Sequence, residues 1–205
     1  MPKLDKEHDD IKAELDSLRG LKRSQTAMYY AIAKNAIRMA EAAERKGLAA
    51  IKDPMPHPEL VELLSAKQVL REQSTITIIF SALTVEGMIN FALDARSTGF
   101  FVTGLDKLDM PTKWVTVIKM MYNQDLDPGD ELVDLLKRLN RARNELAHAK
   151  PKMIIDHDLE IVPEEDSLSF EAAGMAFKAM ERALKYLYSI DSTLTEWADP
   201  VFDWK

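Results

Sequence analysis

The 205 residues predict an all-α fold, an antiparallel helical bundle, on three observations. Glycine is scarce at 7 residues, and no Asn-Gly or Asp-Gly pair marks a β-hairpin. Several long runs carry apolar residues at the 3.6-residue spacing of an amphipathic helix. Neither an internal repeat nor a composition break calls for a second packed unit. The chain accordingly divides into an N-terminal accessory segment, 1–20, one bundle, 21–198, and a C-terminal tail, 199–205.

The elements follow in order. A charged segment over about 5–18, with Leu4, Ile11, Leu15 and Leu18 as its apolar residues, predicts an additional N-terminal helix ending near Gly20. The next helix, about 22–46, aligns Met28, Ile32, Ala36, Met39 and Ala43 and is expected to stop at Gly47, a residue suited to a left-handed C-cap. Three prolines make 52–58 a linker. From Glu59 to about Arg96, Ile76, Ile78, Ile79, Phe80, Leu83, Val85, Ile89, Phe91 and Leu93 leave little room for a polar face, so this helix is expected at the centre. Gly99 and Gly104 bracket a turn, and Pro111 opens a helix to about Tyr122. Asp127-Pro128-Gly129-Asp130 starts another, whose stripe is Leu132, Leu135, Leu136, Leu139, Ala142 and Leu146. Pro151 ends it at about Ala149, because the residue before proline avoids helical geometry. After an irregular stretch, where a short strand pair around Met153 to Val162 is an option, a final helix is expected to about Trp197. Its inward residues are Phe170, Ala173, Phe177, Met180, Leu184 and Leu187.

Composition narrows the chemistry. With 0 Cys there is no disulfide, thiolate metal site or thiol nucleophile. The charged start lacks the apolar core of a signal peptide, so a cytoplasmic location is expected. The apolar run Ile76 to Leu93 is broken by Ser81, Thr84, Glu86 and Asn90, which favours a buried helix over a membrane span. A net charge of -7 argues against general affinity for polyanions. One segment runs the other way: between 137 and 152, Lys137, Arg138, Arg141, Arg143, Lys150 and Lys152 face the single acid Glu145. Cations at a helix C-terminus complement its dipole, but this cluster also offers a local anion site.

Within it, Arg143-Asn144-Glu145-Leu146-Ala147-His148 places an Arg, a polar neighbour and a His after four intervening residues, just before the helix-ending proline. These side chains suit RNA cleavage without a metal. Arg143 offers a fork of donors for a non-bridging phosphate oxygen. His148 can take the proton of the ribose 2′-hydroxyl or give one to the leaving 5′-oxygen. Asn144 can position either group by hydrogen bonding. On a helical wheel Arg143 borders the apolar stripe, while Asn140, Asn144 and His148 share an adjoining polar flank. Lys137, Asn140, Arg141, Lys150 and Lys152 are the candidate contacts to the RNA backbone. One imidazole does not easily serve as both acid and base in one step, which points to a homodimer pairing two copies of the motif.

The six residues and the helical order from about 22 to 197 resemble the HEPN superfamily, whose hallmark is an Arg followed four to six residues later by a His near a helix end. The resemblance implies a HEPN-type bundle and a ribonuclease acting as a toxin or anti-phage effector, with a composite site at a dimer interface. It also implies an antitoxin or other regulatory protein as a partner. The alternative is a non-catalytic module that binds a nucleotide or docks a separate protein. Neither reading calls for a cofactor or a metal.

Weaker candidates complete the reading. Glu86, Asn90 and Asp94 form a polar stripe on the central helix, and Glu86 is the candidate to orient the motif from a neighbouring helix. Asp156-His157-Asp158 has metal-capable side chains, but loop neighbours rarely converge on one ion. Met28, Met39, Met88, Met175 and Met180 read as core filling. Trp114, Trp197 and Trp204 read as packing rather than base stacking. No Gly-rich phosphate loop, zincin motif or nucleophile elbow occurs.

Overall fold

The structure, a computed structural model, describes residues 2–51, 57–96, 104–105, 107–148 and 169–195. Among them five α-helices pack together without any strand: α1 (Pro2–Ala50), α2 (His57–Arg96), α3 (Met110–Tyr122), α4 (Glu131–His148) and α5 (Phe170–Ile190), followed by a 3₁₀ turn, Ser192–Leu194. The strand option at Met153 to Val162, Asp156 to Asp158, Gly99, Trp197 and Trp204 lie outside the described residues.

α2 is the axis of the bundle and packs against all four other helices. Ile78, Val85, Ile89 and Leu93 are fully buried, as a helix with apolar residues on several sides requires. It is also long and apolar enough to cross a membrane, although over half of its most apolar window is buried inside the fold. α1 and α2 run antiparallel as a hairpin. Thr26 lies against Gly87 near one end, while Gly47 lies against Leu63 and Ala66 near the other. The Lys46–Glu62 ion pair, 3.1 Å, bridges the two helices at that second end.

Three expectations need correction. The predicted helices 5–18 and 22–46 are one continuous helix, and neither Gly20 nor Gly47 ends it. A glycine in a helix interior costs only about 1 kcal/mol against alanine, and good helix formers flank both positions. Gly47 is buried against α2, where a Cβ would meet Leu63 and Ala66 at ordinary van der Waals distances of 3.6 and 3.7 Å. The buried face of α1 is also rotated from the expected one. Tyr30, Ala33, Ala36, Ala40 and Ala43 face inward, whereas Met28 and Met39 are exposed at 51% and 43%. Small side chains let the two backbones approach, and the methionines are too long for that seam. Met88 and Met180 are buried, and Met175 packs at the core margin.

The last helix ends at Ile190 rather than near Trp197. Asp191 takes an extended backbone, φ -159°, and its carboxylate accepts the Thr193 N–H at 3.2 Å and hydroxyl at 2.6 Å. This local side-chain bonding competes with helix continuation and nucleates the 3₁₀ turn. Arg96 at the end of α2 clasps the same carboxylate at 2.7 Å and lies over the Tyr122 ring, joining the C-terminal ends of α2, α3 and α5.

α3, α4 and α5 build the large-residue part of the core. Trp114 is fully buried among Met110, Val117, Ile118, Leu136, Leu139, Met180 and Leu184. α3 starts at Met110, one residue before the expected Pro111, with Asp109 as its N-cap accepting the Thr112 N–H at 2.9 Å. It stops at Asn123, whose φ of 51° is the left-handed conformation asparagine tolerates.

Candidate active site

α4 begins where the Asp-Pro-Gly-Asp turn supplies its own bonds. Asp127 accepts the Gly129 N–H, and Asp130 accepts the Leu132 N–H, each at 2.7 Å. Glu131 and Asp134 place negative charge at the positive end of the helix dipole. Leu132, Leu135, Leu136, Leu139 and Ala142 are buried as the stripe predicts, and Leu146 packs at the core margin. That orientation leaves the flanks of the buried stripe to carry chemistry.

The motif lies along the side of this helix that passes α2. Arg143 is half-buried, and its Nη2 donates to Oε1 of Glu86 on α2 at 3.1 Å. The two side chains are each about one-third exposed, at 35% and 34%. A charge-assisted hydrogen bond in this setting fixes the direction of the guanidinium while one of its five donors is used. Asn140 and Asn144 are half-buried, one turn apart, on the neighbouring flank. His148 is exposed in the last turn, and Lys137 and Arg141 are exposed on the same helix. Lys150 and Lys152 fall outside the described residues. The structure therefore joins Glu86 to Arg143 and strings the other candidates along one helix.

Sequence reading missed Lys113. It is on α3, only 5% exposed, and its Nζ donates to Oδ1 of Asn90 on α2 at 3.1 Å. Next to it, the Trp114 indole N–H donates to the carbonyl of Val85 at 3.2 Å. Residues 85 to 90 of α2 thus receive α3 at Val85 and Asn90 and α4 at Glu86. The signal was present: Lys113 occupies the buried side of α3, between Met110, Trp114 and Val117. A lysine on an apolar helix face requires a polar partner from the facing element, and the Glu86/Asn90/Asp94 stripe was the available one.

Chemically, the arrangement offers an oriented guanidinium, flanking carboxamides and a solvent-accessible imidazole on one helix, with exposed cations two turns toward its N-terminus. Compared with known proteins, the chain matches no family model, no curated protein and no solved structure.

Proposed function

We propose that the chain is a metal-independent endoribonuclease of the HEPN type, acting in the cytoplasm as a toxin or anti-phage effector. The observation that carries this reading is Arg143 held by Glu86 at 3.1 Å while His148, five residues further along the same helix, is exposed. Chemistry requires an electrophilic group held still and a proton carrier within reach of solvent and substrate.

The RNA supplies its own nucleophile. The 2′-oxygen attacks phosphorus as its proton leaves, the bond to the 5′-oxygen breaks, and that oxygen is protonated, giving a 2′,3′-cyclic phosphate and a 5′-hydroxyl. Arg143 stabilises the charge gathering on a non-bridging oxygen, and His148 moves a proton at the 2′- or the 5′-oxygen. Asn144 positions one of them, and Lys137, Asn140, Arg141, Lys150 and Lys152 hold the backbone. A second copy of the chain supplies the other imidazole, so the active species is a homodimer with its two 143–148 segments facing each other. An antitoxin or other regulatory protein would act by separating or covering them.

The test is incubation of pure protein with labelled RNA in EDTA, comparing wild type with His148→Ala and Arg143→Ala. Wild type alone should cleave, with products ending in cyclic phosphate, and sedimentation should report two chains. Cleavage that requires added metal, or that survives both substitutions, rejects this mechanism. The Glu86 ion pair also favours a second reading, a non-catalytic binding module, because docking α4 on α2 is a sufficient task for Arg143. Absence of cleavage by a folded, dimeric wild type would select that reading.

A further inference from the structure

We propose that Asn90 is a substrate-contacting residue of this site, presenting its amide N–H group to a phosphate oxygen of single-stranded RNA, and that Lys113 is the positioning residue that fixes its polarity. The inference rests on the ribonuclease reading for the identity of the ligand, and on geometry for everything else.

A carboxamide has an acceptor end and a donor end, and which end faces which neighbour decides what it can bind. Lys113 settles this for Asn90. An ammonium group only donates, so the Nζ at 3.1 Å must meet the oxygen; reversal would set donor against donor. Lys113 is also 95% removed from solvent, held on a helix that Trp114 anchors to the Val85 carbonyl, so it cannot swing aside at low cost. The amide nitrogen of Asn90 is consequently directed away from α3. It has no protein partner among the described residues, and Asn90 itself is only half-buried.

The direction matters because of what lies one turn away. Glu86 and Asn90 are four residues apart and share a face of α2, and Glu86 holds Arg143. The acceptor of each α2 residue is therefore engaged by a cation from a neighbouring helix, Glu86 by α4 and Asn90 by α3. Beside the Glu86 carboxylate, that face thus carries two sets of outward donors, those of the Arg143 guanidinium and the Asn90 amide, which suit a phosphodiester with two non-bridging oxygens. A carboxylate at this position would also accept from Lys113. An amide satisfies it while keeping a donor and adding no negative charge beside the anion.

Asn90→Asp separates these roles. It keeps a partner for Lys113 and replaces the donor by a negative oxygen. The probe is a 2′-O-methyl single-stranded RNA oligonucleotide, which lacks the nucleophile and so reports binding without cleavage. Asn90→Asp should weaken its binding by about tenfold or more, the worth of one hydrogen bond to a charged group, with a melting temperature unchanged or raised. In cleavage assays the same change should raise KM far more than it lowers kcat. Lys113→Met, with folding checked by circular dichroism, should weaken binding by a smaller factor; wild-type affinity in a folded Lys113→Met removes its positioning role. Wild-type affinity in Asn90→Asp, or no binding of the oligonucleotide by wild type, overturns the proposal. Wild type that binds with this dependence on Asn90 yet leaves ordinary RNA intact would retire the catalytic reading and leave the Asn90 assignment standing.

Discussion

The α1–α2 hairpin and the α3–α4–α5 layer pack their helices by opposite means. In the hairpin Thr26 lies against Gly87 and Gly47 against Leu63 and Ala66, and the buried face of α1 also carries Ala33, Ala36 and Ala40. The other layer interdigitates Trp114, Ile118, Leu136, Leu139, Met180 and Leu184. Close approach of backbones leaves no room for added atoms, whereas large interlocking side chains leave a void when atoms are removed. The two halves of one core should therefore fail under opposite kinds of substitution.

The largest effect is expected from removing volume in the large-residue layer. Trp114→Ala deletes a fully buried ring and the bond to the Val85 carbonyl and should cost about 3–5 kcal/mol in denaturant unfolding. A loss below about 1 kcal/mol would mean that the layer collapses around the gap and is not the rigid half. Adding volume should be the damaging change in the hairpin. A Cβ at Gly87 would stand 2.5 Å from the Thr26 hydroxyl oxygen, so Gly87→Ala should destabilise by about 1–3 kcal/mol, even though alanine is the better helix former. Adding Thr26→Ala should recover part of that loss, and a double-mutant cycle measures the recovery. Strictly additive losses would remove Thr26 as the cause. Gly174 in α5 is the control, since a Cβ there meets nothing within 4 Å; Gly174→Ala should raise stability by about 0.5–1 kcal/mol.

The smallest effects concern two carboxylates with opposite signs, Glu181 within α5 and Asp191 at its C-cap. Burial acts to raise the Asp191 carboxyl, but hydrogen bonds from Thr193 and Arg96 outweigh it and hold it below its usual 3.8. The unfolded chain then binds the proton more readily, so this contribution is present above pH 3.8 and lost as pH falls through the folded value. Glu181 is raised by burial, despite the pull of Lys185 and Lys34. Here the folded chain holds the proton more tightly, so stability falls as pH rises from 4.5 through the raised value. Melting curves of Asp191→Asn and Glu181→Gln against pH should show the first losing its difference from wild type in acid. The second should instead become relatively more stable above the Glu181 titration. Parallel pH profiles for the two variants would contradict these assignments.

The same contrast explains what was legible in the sequence. Leu132 through Leu146, Phe170 through Leu187 and the run Ile76 to Leu93 announce themselves because large apolar residues recur at helical spacing. The Ala/Gly seam of α1 carries little hydropathy contrast, so Met28 and Met39 drew attention to the wrong face. Gly20 and Gly47 looked like stops because glycine often ends a helix, but its cost in an interior is small and the residues on both sides carry the helix through. At the candidate site, the i, i+4, i+8 polar stripe on α2 was readable, with Glu86 as an option for reaching the motif, but its pairing with Arg143 came only from how α4 lies on α2. The pairing of Asn90 with Lys113 was not, because it depends on how α3 is set against α2, and that is decided by Trp114.

One consequence follows from where α4 is tied down. It is tied to α2 through Arg143, and His148 is five residues further on, exposed in the last described turn. Amide hydrogen exchange should divide the site in two: the α2 amides near Val85 should open only with global unfolding, whereas those of the last α4 turn open at little cost. The anchored cation and the proton carrier would then belong to different cooperative units. Anything that orders the helix end, whether a second copy of the chain or the RNA itself, can raise the fraction of assembled sites while the rest of the bundle stays as it is.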